Sequence, residues 1–157
     1  MDSRIVIVVA ALALLAACAQ QASNSGVRPE FLNSPESLKR GPPFSDAVRI
    51  GGFIFLAGQI GDDPATGKPV TGGIKPEARQ ALKHIQRVLE DNGASLSDVV
   101  KCTVFLADIG EWATFNEVYT EFFKPPYPAR SALGASGLAN GARVEVECIA
   151  YVQPTSP

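Results

Sequence analysis

The sequence predicts an α+β fold in which a mixed sheet of about six strands carries two helices on one face. Short runs of β-branched and apolar residues alternate with two longer segments whose apolar residues recur every three or four positions. Their order is strand, strand, a short third strand, helix, strand, helix, strand, strand. Two helices over one face of a sheet bury the apolar sides of both layers. The length of 157 residues fits one domain.

The N-terminus predicts export. Arg4 precedes an apolar run that ends at Ala17 and is shorter than the roughly 20 residues of a spanning helix, so residues 1–17 are interpreted as a signal peptide. The run closes in Leu-Ala-Ala-Cys18, which resembles the lipobox of bacterial lipoproteins. This resemblance implies acylation at Cys18, and Ala19 after it is typical of outer-membrane anchoring on the periplasmic face. An ordinary cleaved signal or an uncleaved anchor is the alternative.

Residues 18–43 are predicted to be a flexible tether after the lipidated cysteine. Gln, Ala, Ser, Asn, Gly and Pro dominate them without a sustained period. The folded domain is predicted over residues 44–153, followed by a short tail at 154–157. It opens with strands 47–50 and 53–57, because a Gly-Gly pair between two apolar runs is typical of a tight hairpin. A third strand is expected near 70–74.

Two helices follow. The first is predicted from Pro76 to Asp91 or Asn92, with Gly93 just beyond its end. The only histidine, His84, lies beside its apolar stripe and is interpreted as a flanking residue. The second helix is predicted from 108 to 123. Its aromatic stripe is interpreted as core packing and not as a ligand cage; it comprises Trp112, Phe115, Val118, Tyr119 and Phe122.

The remaining strands are expected at 99–107, 130–135 and 143–153, and two cysteines lie within them. Cys102 and Cys148 are interpreted as buried thiols acting as small hydrophobes, with a disulfide left open as the alternative. The sequence has no clustered cysteines and histidines, so no metal site is expected. A net charge of −2 with well-mixed signs argues against a nucleic-acid partner.

One sheet face has no helix to cover it. The strands starting at Phe53 and Val99 are apolar on both faces, so the uncovered face is expected to pack against another copy of the chain. A homo-oligomer built sheet to sheet follows, and its functional sites are expected to lie between subunits.

The C-terminal third carries the candidate site. Arg130 stands at the start of one strand, and Glu145 and Glu147 are two residues apart on the last strand, so both acids point from one face. A guanidinium suits a carboxylate ligand, and a partly dry carboxylate can position or activate water. Glu145 is interpreted as functional. Glu147 is interpreted as a structural acid paired with a neighbouring Arg or Lys.

Six collinear strings identify a family. They include Phe-Leu-Ala-Gly-Gln-Ile at 55–60, Lys-Cys-Thr-Val-Phe-Leu at 101–106, Tyr-Pro-Ala-Arg-Ser at 127–131 and Val-Glu-Val-Glu-Cys at 144–148. In order and spacing they resemble the RidA (reactive intermediate deaminase, YjgF-type) family. The resemblance implies a chorismate-mutase-like fold, a homotrimer with clefts between subunits, and cofactor-free hydrolysis of small enamines and imines such as 2-aminoacrylate to 2-keto acids and ammonia.

The resemblance also assigns roles. Arg130 matches the arginine that holds the substrate carboxylate, and Glu145 matches the glutamate that positions water. Gly58 matches a backbone contact to the ligand, and Asn116 matches an asparagine near the cleft. Three further positions depart from the family pattern: Phe44 replaces a tyrosine, Ala57 a serine and Ala132 a cysteine. These changes predict a more apolar pocket, either for a bulkier imine or with a lower rate, in which the Ala132 carbonyl can still hold a water.

Two other functions remain open on the same scaffold. One is a non-catalytic module that captures a small carboxylate in the cleft. The other is a holdase-type interaction protein that uses exposed apolar surface.

Overall fold

The computed structural model describes residues 27–153, and its elements follow the predicted order with an addition at the N-terminus. The strands are β1 (Glu30–Leu32), β2 (Ala47–Ile50), β3 (Phe53–Leu56), β4 (Gln59–Ile60), β5 (Val99–Leu106), β6 (Ala129–Gly134) and β7 (Val144–Tyr151). The helices are α1 (Pro35–Arg40), α2 (Ile74–Asp91) and α3 (Trp112–Phe122). The predicted signal peptide, Cys18 and the tail lie outside the described residues.

The seven strands of the described residues form one mixed sheet. Its order is β1-β2-β3-β7-β5-β6, and β4 also pairs with β7. All pairs are antiparallel except β5 with β6, which α3 connects as a crossover. The predicted mixed α+β architecture with about six strands is therefore confirmed.

The two faces of the sheet differ in burial. Alternate residues of β5 and β7 are buried and share one apolar core with the inward faces of α2 and α3. The same alternation leaves Phe53, Phe55 and Leu133 more than 40% exposed on the other face. The described chain therefore has one covered and one open sheet face, as the sequence predicted.

Part of the segment predicted to be a flexible tether is folded, since Glu30–Leu32 form a strand and Pro35–Arg40 a helix. Phe31 of β1 pairs with Val48 of β2, and the Ser34 side chain caps α1 by accepting from the Ser37 amide. Asp46 then ties the segment to the domain, since it accepts from the Ser34 amide at 2.8 Å and from the Ser37 hydroxyl. A three-residue strand and a six-residue helix are too short to produce a detectable period, so the expectation of a tether up to residue 43 was wrong.

Two further expectations are corrected. Residues 70–73 form no strand, because Gly72 and Gly73 adopt positive φ angles of 108° and 90°, and only an isolated bridge joins Asp62 to Pro69. Cys102 and Cys148 are disulfide-bonded and not free thiols. They are register partners on β5 and β7, and such a register cannot be read from sequence alone.

Within residues 27–153, no helix has both the length and the apolar character required to cross a bilayer.

Candidate functional site

Arg130 points toward the helices. In the β5–β6 ladder it lies beside the buried Cys102, so both side chains leave the same face of the sheet. Its Nη2 donates to the Oδ1 atom of Asn116 on α3 at 2.7 Å. The guanidinium also lies 4.5 Å from the centroid of the Tyr119 ring. A hydrogen bond on one side and an aromatic face on another hold the cation in place.

A cavity of about 370 Å³ opens beside this guanidinium. The residues that line it come from α3 and the segment leading into β6: Asn116, Tyr119, Thr120, Tyr127, Pro128 and Arg130. Arginine keeps further N–H donors after its bond to Asn116, and these donors match the geometry of a carboxylate. The structure thus brings together Arg130 and Asn116, two of the predicted site residues.

Glu145 lies in a second cavity of about 400 Å³. It is partly buried on β7, opposite Ile60 of β4 and Phe105 of β5. Phe44, which is 61% exposed, and Gly58 line the same cavity. A Cβ atom at Gly58 would lie 2.0 Å from the Glu145 Oε1, so only glycine permits this position of the carboxylate. Phe44, Gly58 and Glu145 are therefore the second group of predicted residues that the structure brings together.

Polar residues that sequence reasoning missed also line the Glu145 cavity. Gln59 and Arg40 are among them, and the Arg40 guanidinium is 4.0 Å from a carboxylate oxygen of Asp62. Asp46 lies there too: burial raises its pKa, but hydrogen bonds from Ser34 and Ser37 and the charge of Arg40 outweigh burial and lower the pKa. Arg40 lies in the segment that the sequence predicts to be a flexible tether, so the sequence gives no signal that it reaches a cavity.

The two cavities of one protomer cannot act on one small substrate. Arg130 pairs with Cys102 of β5, and Glu145 pairs with Phe105 of β5. Cys102 and Phe105 are three residues apart, which is an odd number, so the side chains of Arg130 and Glu145 point to opposite faces of the sheet. Strand β5 also lies between β6 and β7. The two residues are offset by three residues along the strand direction and by two strand spacings across the sheet. Together these offsets place the backbones of Arg130 and Glu145 about 14 Å apart.

The remaining candidates occupy other positions. Ala132 shares the face of Arg130 and packs against the core, outside the lining of the Arg130 cavity. Glu147 is exposed opposite Thr103 on the open face. Within residues 27–153 it forms no ion pair, and the nearby Lys101 donates instead to the Ser131 hydroxyl at 3.1 Å. The expected ionic partner of Glu147 is therefore not found.

His84, beside the apolar stripe of α2, is buried, with 6% of its surface exposed. Its Nδ1 donates to the Ile60 carbonyl at 3.2 Å, and its Nε2 is 2.8 Å from the Gln80 side-chain nitrogen, from which it accepts. Burial lowers the pKa of His84, although the Asp62 carboxylate, 3.3 Å away, opposes this effect. The ring joins α2 to the two-residue strand β4, which forms a wall of the Glu145 cavity.

The structure is a single α+β domain with one cavity beside Arg130 and a second beside Glu145. The family model described as Endoribonuclease L-PSP matches residues 34–152. The chain belongs to this family, which includes the RidA (YjgF-type) proteins.

Named relatives and solved structures agree with this assignment. The human 2-iminobutanoate/2-iminopropanoate deaminase is 44% identical over 112 residues, which are 71% of this chain and 82% of the relative. A RutC family protein of Pyrococcus horikoshii is 48% identical over 119 residues, covering 76% of this chain and 92% of the relative. The RidA crystal structure from an Antarctic Psychrobacter is 33% identical, with a TM-score of 0.68, and covers 82% of this chain and all of that one (100%). The crystal structure of a Rid family protein from Yersinia pestis is 34% identical, with a TM-score of 0.74, and covers 80% of this chain and 100% of that chain.

Proposed function

We propose that this protein hydrolyses small 2-imino acids and their enamine tautomers to 2-keto acids and ammonia. One observation carries the proposal: the Arg130 guanidinium, fixed by Asn116 at 2.7 Å, faces a cavity large enough for a small carboxylic acid. The names of the human and other mammalian relatives support the same reaction class.

The reaction needs few groups. Arg130 holds the substrate carboxylate, which fixes the imine carbon relative to the protein. Glu145 holds a water, accepts one of its protons as the oxygen bonds to the imine carbon, and returns the proton to nitrogen. The hydroxyl proton of the resulting carbinolamine then passes to nitrogen as the C=O bond forms and the carbon–nitrogen bond breaks, so one water and one imine give one keto acid and one ammonia. An enamine first gains a proton on carbon and loses one from nitrogen to become the imine.

The complete site is proposed to form between two copies of the chain. Arg130 and Glu145 point from opposite faces of one sheet, so a single substrate meets both only when they come from different protomers. The exposed Phe53, Phe55 and Leu133 of the open face supply apolar surface for such an assembly. A cyclic homotrimer, the assembly implied by the family resemblance, gives three identical sites.

The substrate side chain is proposed to be apolar. The apolar side chains of Phe44 and Pro42 line the Glu145 cavity. A branched or extended apolar group on the imine gains from contact with Phe44. Arg40 and Asp62 also line this cavity, and the two side chains are 4.0 Å apart.

An assay of imines generated in situ tests this function. An amino-acid oxidase supplies 2-imino acids of increasing side-chain size, and 2-keto acid release is compared with and without the protein. The Arg130→Ala variant is expected to lose at least about 100-fold in rate, because the carboxylate loses its charged partner. Keto acid release equal to background, or full activity in Arg130→Ala, would reject the proposal.

A carboxylate-binding module is the second candidate, because the Arg130 cavity is complete within one protomer without Glu145. This function predicts that titration calorimetry detects 2-keto acid binding that Arg130→Ala abolishes, with no turnover of any imine. A holdase function instead predicts suppression of client aggregation that survives both Arg130→Ala and Glu145→Gln.

We also propose that the protein works in an exported, lipid-anchored form. The Cys102–Cys148 disulfide supports an oxidising compartment, since such bonds are rare in the reducing cytosol. The Leu-Ala-Ala-Cys18 sequence supports acylation. Fractionation of cells that express the full chain tests this proposal: the protein is expected in the outer membrane, and Cys18→Ser is expected to release it. Recovery of both forms in the cytosol would contradict it.

A further inference from the structure

Tyr119 differs from its neighbours by a single polar atom. It lies on α3 between Phe115 and Phe123, one turn away on either side, with ring centroids 5.8 Å and 4.5 Å from its own. All three residues are buried, and Tyr119 is only 4% exposed. The surroundings of this ring therefore suit a phenylalanine.

The hydroxyl of Tyr119 is buried and has no hydrogen-bond partner among the residues the structure describes. Burying an unpaired hydroxyl lowers stability, and nearly all buried polar groups in proteins find a partner. A phenylalanine at this position would keep the packing and avoid this cost. The hydroxyl therefore requires an explanation other than packing.

The position of the Tyr119 ring beside a cavity suggests what the hydroxyl does. Tyr119 lines the Arg130 cavity, and the Arg130 guanidinium lies over its ring at 4.5 Å. Burial raises the pKa of Tyr119 and the charge of Arg130 opposes this effect, with a net increase, so the hydroxyl keeps its proton at neutral pH. The hydroxyl is thus a protonated donor without a partner among the described residues, on a ring that packs against the cation that receives the substrate.

We propose that Tyr119 is a further substrate-binding residue, whose hydroxyl donates a hydrogen bond to an oxygen of the carboxylate held by Arg130. This inference rests on the proposed function. Arg130 already gives Nη2 to Asn116, so a second donor at the cavity wall completes the set around the two carboxylate oxygens. The ligand in turn supplies the partner that the hydroxyl lacks in the free protomer.

The test uses the full assembled protein with pyruvate and 2-oxobutanoate as probes. In Tyr119→Phe, the Kd of both keto acids and the KM for imines are expected to rise about tenfold, as for loss of one hydrogen bond to a charged group. The kcat is expected to change less than KM. The Tm is expected to stay unchanged or to rise, because the unpaired hydroxyl is removed. Tyr151→Phe, which removes a hydroxyl from the other sheet face, is the matched control and should keep KM within about twofold.

The outcomes separate two failures. If Tyr119→Phe binds the keto acids as tightly as the parent, the inference is wrong. A lower Tm with unchanged Kd and KM would also overturn it, since the hydroxyl would then serve the fold through a buried water. If Arg130→Ala itself keeps normal keto acid binding, the proposed function fails. Loss of binding in Arg130→Ala but not in Tyr119→Phe rejects only the role of Tyr119.

Discussion

The replacement Gly58→Ala is expected to disable Glu145 while leaving the fold intact. The new Cβ would lie 2.0 Å from the carboxylate Oε1 and 2.9 Å from its carbon, both closer than real contacts allow. Gly58 does not have the positive φ angle that alanine avoids, so its backbone can stay in place. The side chain of Glu145 must therefore move by more than 1 Å. A displacement of that size at a catalytic group costs on the order of 100-fold in rate.

The assay is steady-state imine hydrolysis together with thermal unfolding. The kcat of Gly58→Ala is expected to fall about 100-fold, while the Kd for 2-keto acids, which report on Arg130, changes little. Gly137→Ala is the matched control, because a Cβ at Gly137 meets nothing within 4 Å. A kcat near that of the parent in Gly58→Ala would refute the placement of Glu145 at the reacting centre.

Three further predictions follow from contacts elsewhere. Asn116→Ala removes the acceptor that orients Arg130, so KM in the imine assay should rise about tenfold; an unchanged KM would show that the guanidinium orients itself. The pKa of His84 is lower in the folded protein than its unfolded value of 6.5. In denaturant titrations the free energy of unfolding should therefore not change with pH above 6.5 and should decrease as the pH drops below 6.5, because the unfolded chain takes up a proton first. His84→Gln should flatten that fall, and an equally steep fall would assign it to other groups. Replacing Cys102 and Cys148 by alanine opens a loop with a sequence separation of 46. The free energy of unfolding should then fall by about 2–4 kcal/mol, and equal stability of the variant and the parent would contradict this expectation.

The helices and central strands were predictable because their patterns are long. The apolar period of α2 spans five turns and bounds the helix to within two residues of its observed start at Ile74. The glycine pair at 51–52 places the β2–β3 hairpin correctly. By contrast, β1, α1 and β4 contain two to six residues each, and at that length tertiary contacts such as those of Asp46 determine the structure.

The composition of the candidate site was predictable and its arrangement was not. The sequence strings around Arg130 and Glu145 identify both residues as candidates. Only the strand order shows that β5 lies between them, and only the register shows that their side chains point to opposite faces of the sheet. The same limit applies to the disulfide, since the register of β5 with β7 brings Cys102 opposite Cys148. The sequence predicts Tyr119 as core because a helical aromatic stripe normally is core. Only the packing in three dimensions shows that its ring lies against Arg130 and that its hydroxyl has no partner among the described residues.

The central claim is that Arg130 of one copy and Glu145 of another form a single active site. The most direct test mixes two inactive variants, Arg130→Ala and Glu145→Gln, after unfolding and joint refolding. In a cyclic assembly each site draws its two residues from neighbouring copies, so an equal mixture should recover about one quarter of the parent activity per chain. Each variant refolded alone should stay inactive. A mixture as inactive as its components would contradict a site shared between copies.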